Sequence, residues 1–503
     1  MPKLHAHFVA IILGLSLGVS HALADVTLAP LFQDHAVLQS SRPLPIWGRA
    51  AAGEHVTVTF RGQMVGATAD KTGKWIVYLA AIAASSEPAD LTVTGNTTMV
   101  VQDVLVGEVW LASGQSNMNR KLSSLPNAAE VTAKINNPLL RHININLTAS
   151  TEPADQVDTS GWQLAAPTDA LEFSAVAWFF ADEIQRKLGV PVGIIHSSWG
   201  GSTVEAWMSA PTLQSTAAWP AIDARWQHLI ANYPEIETEY AAWLVANKAA
   251  KAKGLQQTPP PILPHGHGSP HAISELFNGM IAPLQPYAIR GVIWYQGESN
   301  WERSTEYAEL FPTMIRSWRA QWGQGDFPFY FVQLPDYDTP YDPTNRGWAF
   351  MREAQTPALV LPQTGMAVTV DCGDPADIHP QNKPIVGQRL ARIAEAKVYR
   401  FTGDWSGPIY QSFTSEGTTL RIKFDHVDSG LISDRHPPQS FELAGEDRKF
   451  HPATAEIKGD TIIVQSPAVP HPIAVRYAWS NVPKANLYNG AGLPAVPFRS
   501  DNW

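Results

Sequence analysis

Between about residues 104 and 400, short apolar runs alternate with longer stretches in which apolar residues recur every three or four positions. The runs at 109–112, 192–196, 291–295, 329–334 and 366–370 show little polar interruption, as expected of strands covered on both faces. The stretches between them carry the helical period. Val176, Phe179, Phe180, Ile184 and Leu188 share one face, and Gly189 followed by Pro191 closes that helix. Tyr307, Leu310, Met314, Ile315 and Trp318 define a second helix, in which Pro312 should mark a kink or a first turn. Ile385, Arg389, Leu390 and Ile393 define a third. Strand and helix in alternation predict an α/β class with a doubly wound parallel sheet.

On both flanks the period changes to two. Residues 55–60 and 75–79 alternate within a segment spanning 25–103, and residues 419–424 and 461–464 do so within 401–503. Each flank is therefore expected to form a small all-β domain. The stretch 211–274 fits neither pattern: it is rich in Ala and Trp and then breaks into Thr258-Pro259-Pro260-Pro261. An inserted helical excursion with a stiff proline loop, placed to roof a cleft, is the expectation there.

Composition narrows the picture. A chain of 503 residues carries several domains, and 16% charged residues beside 18 Trp and 40 Pro indicate a large core with rigid, aromatic loops. The net charge of -10, with no dense basic cluster, excludes nucleic acid as a partner. Residues 1–24 read as an export signal: Lys3, an apolar run over 8–19, then Ala22-Leu23-Ala24 as the cleavage site. That run is too short to span a bilayer, so the expected mature form begins near Asp25 and lies, free of the membrane, in a bacterial periplasm or outside the cell. With Cys372 as the only cysteine, no intrachain disulfide forms. Its expected role is packing rather than nucleophilic attack.

In open α/β sheets, ligands bind at the carboxyl ends of the strands. The polar, glycine-rich segments of this chain fall there: Gly114-Gln115-Ser116-Asn117-Met118 after the first run, 197–203 after the second, Gln296-Gly297-Glu298-Ser299-Asn300 after the third, and 371–379 after the fifth. Ser116 is a candidate nucleophile with its own amide as an oxyanion donor. Met118 stands where a Gly-x-Ser-x-Gly elbow has its second glycine, which argues against an ordinary α/β-hydrolase.

These segments, with Trp199-Gly200-Gly201-Ser202, Glu205-Ala206-Trp207-Met208 and Asp377-Ile378-His379-Pro380 followed by Lys383, resemble the SGNH hydrolases, and among them the sialate O-acetylesterase-like carbohydrate acetylesterases. The resemblance spans 107 to about 395. It implies a three-layer α/β/α, flavodoxin-like catalytic domain over 104–400, with Ser116 as nucleophile and His379 as general base and then acid. The SGNH pattern places an aspartate three residues before the histidine, where this chain has Ala376. Asp377 is preferred as the residue orienting His379, with Glu298 next and Asp374 third. Ser116, Gly200 or Gly201, and an amide from Gln296 or Asn300 would hold the oxyanion. Trp199, Trp207, Trp294 and Trp301 are candidate sugar-stacking residues.

The expected reaction is removal of O-acetyl groups from an oligo- or polysaccharide through an acetyl-serine, without cofactor or metal. Plant hemicellulose such as xyloglucan or xylan is favoured, and a sialate O-acetylesterase or a non-catalytic carbohydrate-binding protein are the alternatives. His265, His267 and His271 have no Cys or carboxylate beside them in sequence to complete a metal site.

Overall fold

The computed structural model describes residues 25–503 except 256, 257, 259, 260, 340, 341 and 435. The expected export signal at 1–24, and Pro259 and Pro260 of the proline loop, lie outside the described residues. No helix among those described is long and apolar enough to cross a membrane.

The central sheet is built from β1 (Thr98–Gly114), β2 (Asn137–Ile145), β3 (Thr159–Ala165), β4 (Val192–Ser198), β5 (Gly291–Tyr295), β6 (Phe329–Val332) and β7 (Thr364–Ala367), in the order β3-β2-β4-β1-β5-β6-β7. Neighbours are parallel except β3, which runs antiparallel to β2 at the edge. The chain leaves β1 toward β2 on one side and leaves β4 toward β5 on the other. A crevice therefore opens between the carboxyl ends of β1 and β4.

The five expected strands are all present. The pair β2 and β3 is additional, and in β2 the apolar pattern is broken by polar residues that the fold buries. Arg141 of β2 is buried on Asp103, with both carboxylate oxygens within 3.0 Å, and the ring of His142 stacks on Phe173 at 4.3 Å.

The helices that frame the site are α1 (Ser116–Asn119), α2 (Ala175–Leu188), α3 (Trp219–Ala231), α4 (Tyr233–Ala252), α5 (Ser304–Trp322), α6 (Gly347–Gln355) and α7 (Lys383–Lys397), with shorter helices at Ala128–Ala133 and Ala210–Gln214 and short 3-10 turns between. Ser174 caps α2 by accepting from the Ala177 amide, and Gly189 ends it in the left-handed conformation at φ +68°. Pro312 is buried well inside α5 rather than in its first turn. Trp110 of β1 is paired with Gly291, three residues before Trp294 of β5, so the two indoles point to opposite faces of the sheet. Trp110 packs on Phe180 of α2, and Trp294 packs on Phe311 and Trp318 of α5. Helices thus cover both faces of a mixed α/β structure.

β1 is longer than one sheet needs. Its first half pairs with strands Ser85–Thr94 and Val37–Gln39 of the amino-terminal β region, and its second half pairs with β4 and β5. One continuous core results. The carboxyl-terminal strands form a separate antiparallel sheet around Leu420, Ile422, Ile462, Val464 and Tyr477. Fully buried Arg352 of α6 fastens this region by donating to the Ser480 and Asn481 carbonyls at 2.9 and 2.6 Å.

Candidate active site

β1 ends at Gly114 with φ +132°, where a Cβ would lie 2.1 Å from the Tyr295 carbonyl oxygen. Only glycine fits there. The Gly114 carbonyl accepts from the Trp199 amide at 3.0 Å, and the Gln115 amide donates to the Tyr295 carbonyl at 2.9 Å. The ends of β1, β4 and β5 are thereby stitched together. The Gln115 side-chain oxygen extends the stitch to the Gly297 and Ser299 amides at 3.1 and 3.3 Å.

Ser116 opens α1 at this junction, and its Oγ lies 2.9 Å from Nε2 of His379, which arrives 263 residues later on the loop between β7 and α7. The two residues that the sequence set apart as nucleophile and base are within hydrogen-bond reach. Asp377 follows the same loop: its Oδ1 accepts from the His379 amide at 2.9 Å and stands 3.6 Å from the His379 Nδ1. Glu298 points elsewhere. Its Oε1 accepts from Asn117 Nδ2 at 2.6 Å, and its Oε2 has no hydrogen-bond partner among the described residues. Asp374 turns back on the Ala376 amide at 2.9 Å.

Burial holds the His379 imidazole below its ordinary titration range, aided by the Arg120 and Lys383 cations and opposed by Asp377. A neutral imidazole facing a hydroxyl is a base ready to act. Cys372 offers no rival: burial, helped by Asp371, pushes its thiol up to about 12.

For an oxyanion, two backbone donors converge. The Ser116 amide heads a helix and so lacks an intrahelical acceptor. A Cβ at Gly200 would sit only 3.4 Å from the Ser116 Cβ, and the Gly200 amide donates to nothing among the described residues. Gly201 adjoins it with φ +76°. Of the two candidate amide side chains, Gln296 is committed to bracing, whereas Asn300 uses one of its two N–H groups. Both Gln296 N–H groups are spent, on the Ser202 carbonyl at 3.0 Å and Asn300 Oδ1 at 2.8 Å. Asn300 Nδ2 donates to Glu205 at 2.8 Å, and its Oδ1 also holds the Val204 amide at 3.0 Å.

Residues 269–395 match the family model of carbohydrate esterases described as sialic acid-specific acetylesterases. The chain is 31% identical to the sialate O-acetylesterase of Mus musculus and 30% identical to that of Rattus norvegicus, in each case over 90% of both proteins. It also resembles the crystal structure of a carbohydrate acetylesterase from Xanthomonas citri, with a TM-score of 0.82 and 38% identity over 95% of this chain and all of that one. The chain belongs to the sialate O-acetylesterase family of carbohydrate esterases. It is accordingly a carboxylic ester hydrolase, which sets aside the non-catalytic binding alternative.

Beside the dyad, the esterase has a cavity of about 790 Å³. Its floor includes Gly200, Gly201, Glu298 and Ser299 from the strand ends, and its roof includes Ile222, Arg225, Trp226 and Leu229 of α3. Residues of the segment 211–274 thus line this cavity. Both arginines of the lining are already in ion pairs. Arg225 meets Glu306 at 2.8 and 2.7 Å, and Arg303 stands 3.6 Å from buried Glu205. His265 and His271 stack at 3.9 Å in the wall, and burial holds both below the usual imidazole range, His271 down to about 3. His267 is bonded to Glu275.

Of the four tryptophans proposed for sugar stacking, Trp207 and Trp294 are not available. Both are fully buried, edge-to-face at 6.0 Å, and the Trp207 indole N–H donates to Ser202 at 2.8 Å. They belong to the core because strands and turns covered on both sides bury every large apolar residue. Trp301 lines the cavity, and Trp199 is half-buried against the core. Sequence reasoning gave no role to Asn117, Arg120 or Trp226. Asn117 and Arg120 follow Ser116 within one helical turn, and that proximity was their only signal.

Proposed function

We propose that this esterase removes O-acetyl groups from a neutral glycan, with acetylated hemicellulose such as xyloglucan or xylan favoured, through an acetyl-Ser116 intermediate on an SGNH-type three-layer domain. The 2.9 Å contact between Ser116 Oγ and His379 Nε2, next to Gly200 of a glycan-sized cavity, carries this reading. Oγ attacks the acetyl carbonyl carbon as its proton passes to Nε2. The resulting oxyanion takes hydrogen bonds from the Ser116 and Gly200 amides. When the ester C–O bond breaks, His379 returns the proton to the departing sugar oxygen. A water then attacks the acetyl-serine, giving its proton to His379; as the acyl–Oγ bond breaks, His379 returns that proton to Ser116 Oγ, and acetate leaves. Asp377 steadies the imidazolium from 3.6 Å.

The charge of the cavity supports a neutral substrate. A sialic acid presents a carboxylate, and the lining arginines are already matched by Glu306 and Glu205, with Glu302 adding negative charge. Trp226 and Trp301 offer apolar ring surface instead. The competing substrate is the one in the names of the mouse and rat relatives, O-acetylated sialic acid. Acetate release should be compared across acetylated xyloglucan, xylan, pectin and sialic acid. We expect a neutral hemicellulose to exceed sialic acid by about tenfold or more in kcat/KM, the worth of ~1.4 kcal/mol of missing charge pairing. Preferred hydrolysis of the sialate ester would reverse the assignment. The Ala22-Leu23-Ala24 segment, read as an export cleavage site, supports a reaction carried out in the periplasm or outside the cell.

A further inference from the structure

Behind Ser116 lies a group of buried polar side chains that acyl transfer does not touch. Asn117 Nδ2 donates to Glu298 Oε1 at 2.6 Å and to the Ile378 carbonyl at 3.0 Å, while Asn117 Oδ1 accepts from Lys383 Nζ. Four separate parts of the chain meet here: α1, the loop after β5, the loop carrying His379, and the first residue of α7. Asn117, Glu298 and Lys383 are all at most 4% exposed. The Lys383 ammonium also faces the Tyr295 ring at 5.5 Å.

A carboxamide has one accepting end and one donating end. With an ammonium on its oxygen and two acceptors on its nitrogen, Asn117 has a single favourable orientation; flipped, its three contacts would all oppose it. Asn117 follows Ser116 in the chain, and Ile378 precedes His379. The amide therefore bridges the immediate neighbours of the dyad.

We propose that Lys383 is a positioning residue: by fixing the orientation of the Asn117 amide, its ammonium fixes the approach of His379 to Ser116. This rests on Ser116 and His379 being the nucleophile and base. The groups facing His379 are Ser116, Arg120, Asp377 and Lys383. Those facing Lys383 are Glu298, Asn117, Tyr295, Cys372, Arg120 and Asp377, and burial brings its ammonium down to about 8. Lys383 and Arg120 disfavour protonation of His379 and Asp377 favours it, so losing the Lys383 cation raises the pH at which the base is lost.

Lys383→Met alone strands the buried Glu298 carboxylate without its cation, which confounds folding with catalysis. The decisive variant combines Lys383→Met with Glu298→Gln, since removing both charges of a buried pair is often neutral for stability. On an aryl acetate we expect the double variant to melt near the parent temperature and to keep its KM. Its kcat should fall about 100-fold, the scale of an ångström-sized misplacement, and the acidic limb of its pH profile should move to higher pH. A folded double variant with the parent kcat and pH profile, beside an inactive Ser116→Ala, overturns the proposal and leaves the nucleophile in place. A double variant that fails to fold also counts against it, because the role would then be structural. An active Ser116→Ala overturns the reading beneath it.

Discussion

Ser116→Ala should lower kcat/KM for an aryl acetate by roughly ten-thousand- to a million-fold while leaving the fold intact, measured by steady-state kinetics beside thermal unfolding. The size follows from the position of the hydroxyl. It lies 2.9 Å from His379 Nε2 at the junction of β1, β4 and β5, with Gly200 packed close against it. Without it, the proposed acetyl-serine cannot form, and the remaining acceleration should come from the oxyanion donors and binding. Stability should change little. The residue capping α1 is Gln115, not Ser116, so alanine at 116 removes no helix cap and surrenders only the bond to His379, worth about 1 kcal/mol. A variant retaining parent-like turnover would remove Ser116 from the mechanism.

His379→Ala should cost a comparable factor, because a proposed nucleophile and base 2.9 Å apart would act as one unit, so that removing either disables both. The parent enzyme supplies an independent check through pH. Activity requires the neutral imidazole, and burial with Arg120 and Lys383 holds its titration below the ordinary value of about 6.5. A depressed base keeps its free form to lower pH, so the acidic limb of kcat/KM should lie below pH ~6.5. Asp377 opposes that depression, so Asp377→Asn should move the limb lower still. An acidic limb above the ordinary imidazole range, or one unmoved by the change at 377, would assign the titration to another group.

How far the sequence could be read depended on where apolar pattern and chemistry coincide. The runs that became β1, β4, β5, β6 and β7 were legible because strands covered on both faces must be uniformly apolar. β2 escaped notice because Arg141 and His142 are buried through an ion pair and a ring stack, which a polarity pattern reads as solvent exposure. The same blindness worked in reverse for the tryptophans. Trp207 and Trp294 neighbour the loops at the cleft in sequence, yet their side chains point into the core between the sheet and α5. Sequence proximity gives an address and not a direction.

The candidate site was legible in its parts and not in its wiring. Ser116 and His379 were marked by the strand ends they follow, whereas the third member turned on a distance. Asp377 and Glu298 are both within a few residues of the strand-end motifs, and only the structure shows that one lies 3.6 Å from the imidazole while the other is bonded to Asn117. The amides of Gln296 and Asn300 fared likewise. As free side chains either could hold an oxyanion, but Gln296 has no N–H left to give, and Asn300 holds Glu205 with one N–H and Val204 and Gln296 with its oxygen. Hydrogen-bond satisfaction is a property of the folded environment.

The most direct test is to mix the enzyme with an aryl acetate in a rapid-quench device, digest it, and locate any acetyl group by peptide mass spectrometry. The chemistry described here predicts a burst of aryl alcohol with acetyl on Ser116, absent from Ser116→Ala and decaying as acetate is released. Acetyl on a different residue, or sustained turnover through an enzyme never acylated at 116, would contradict it.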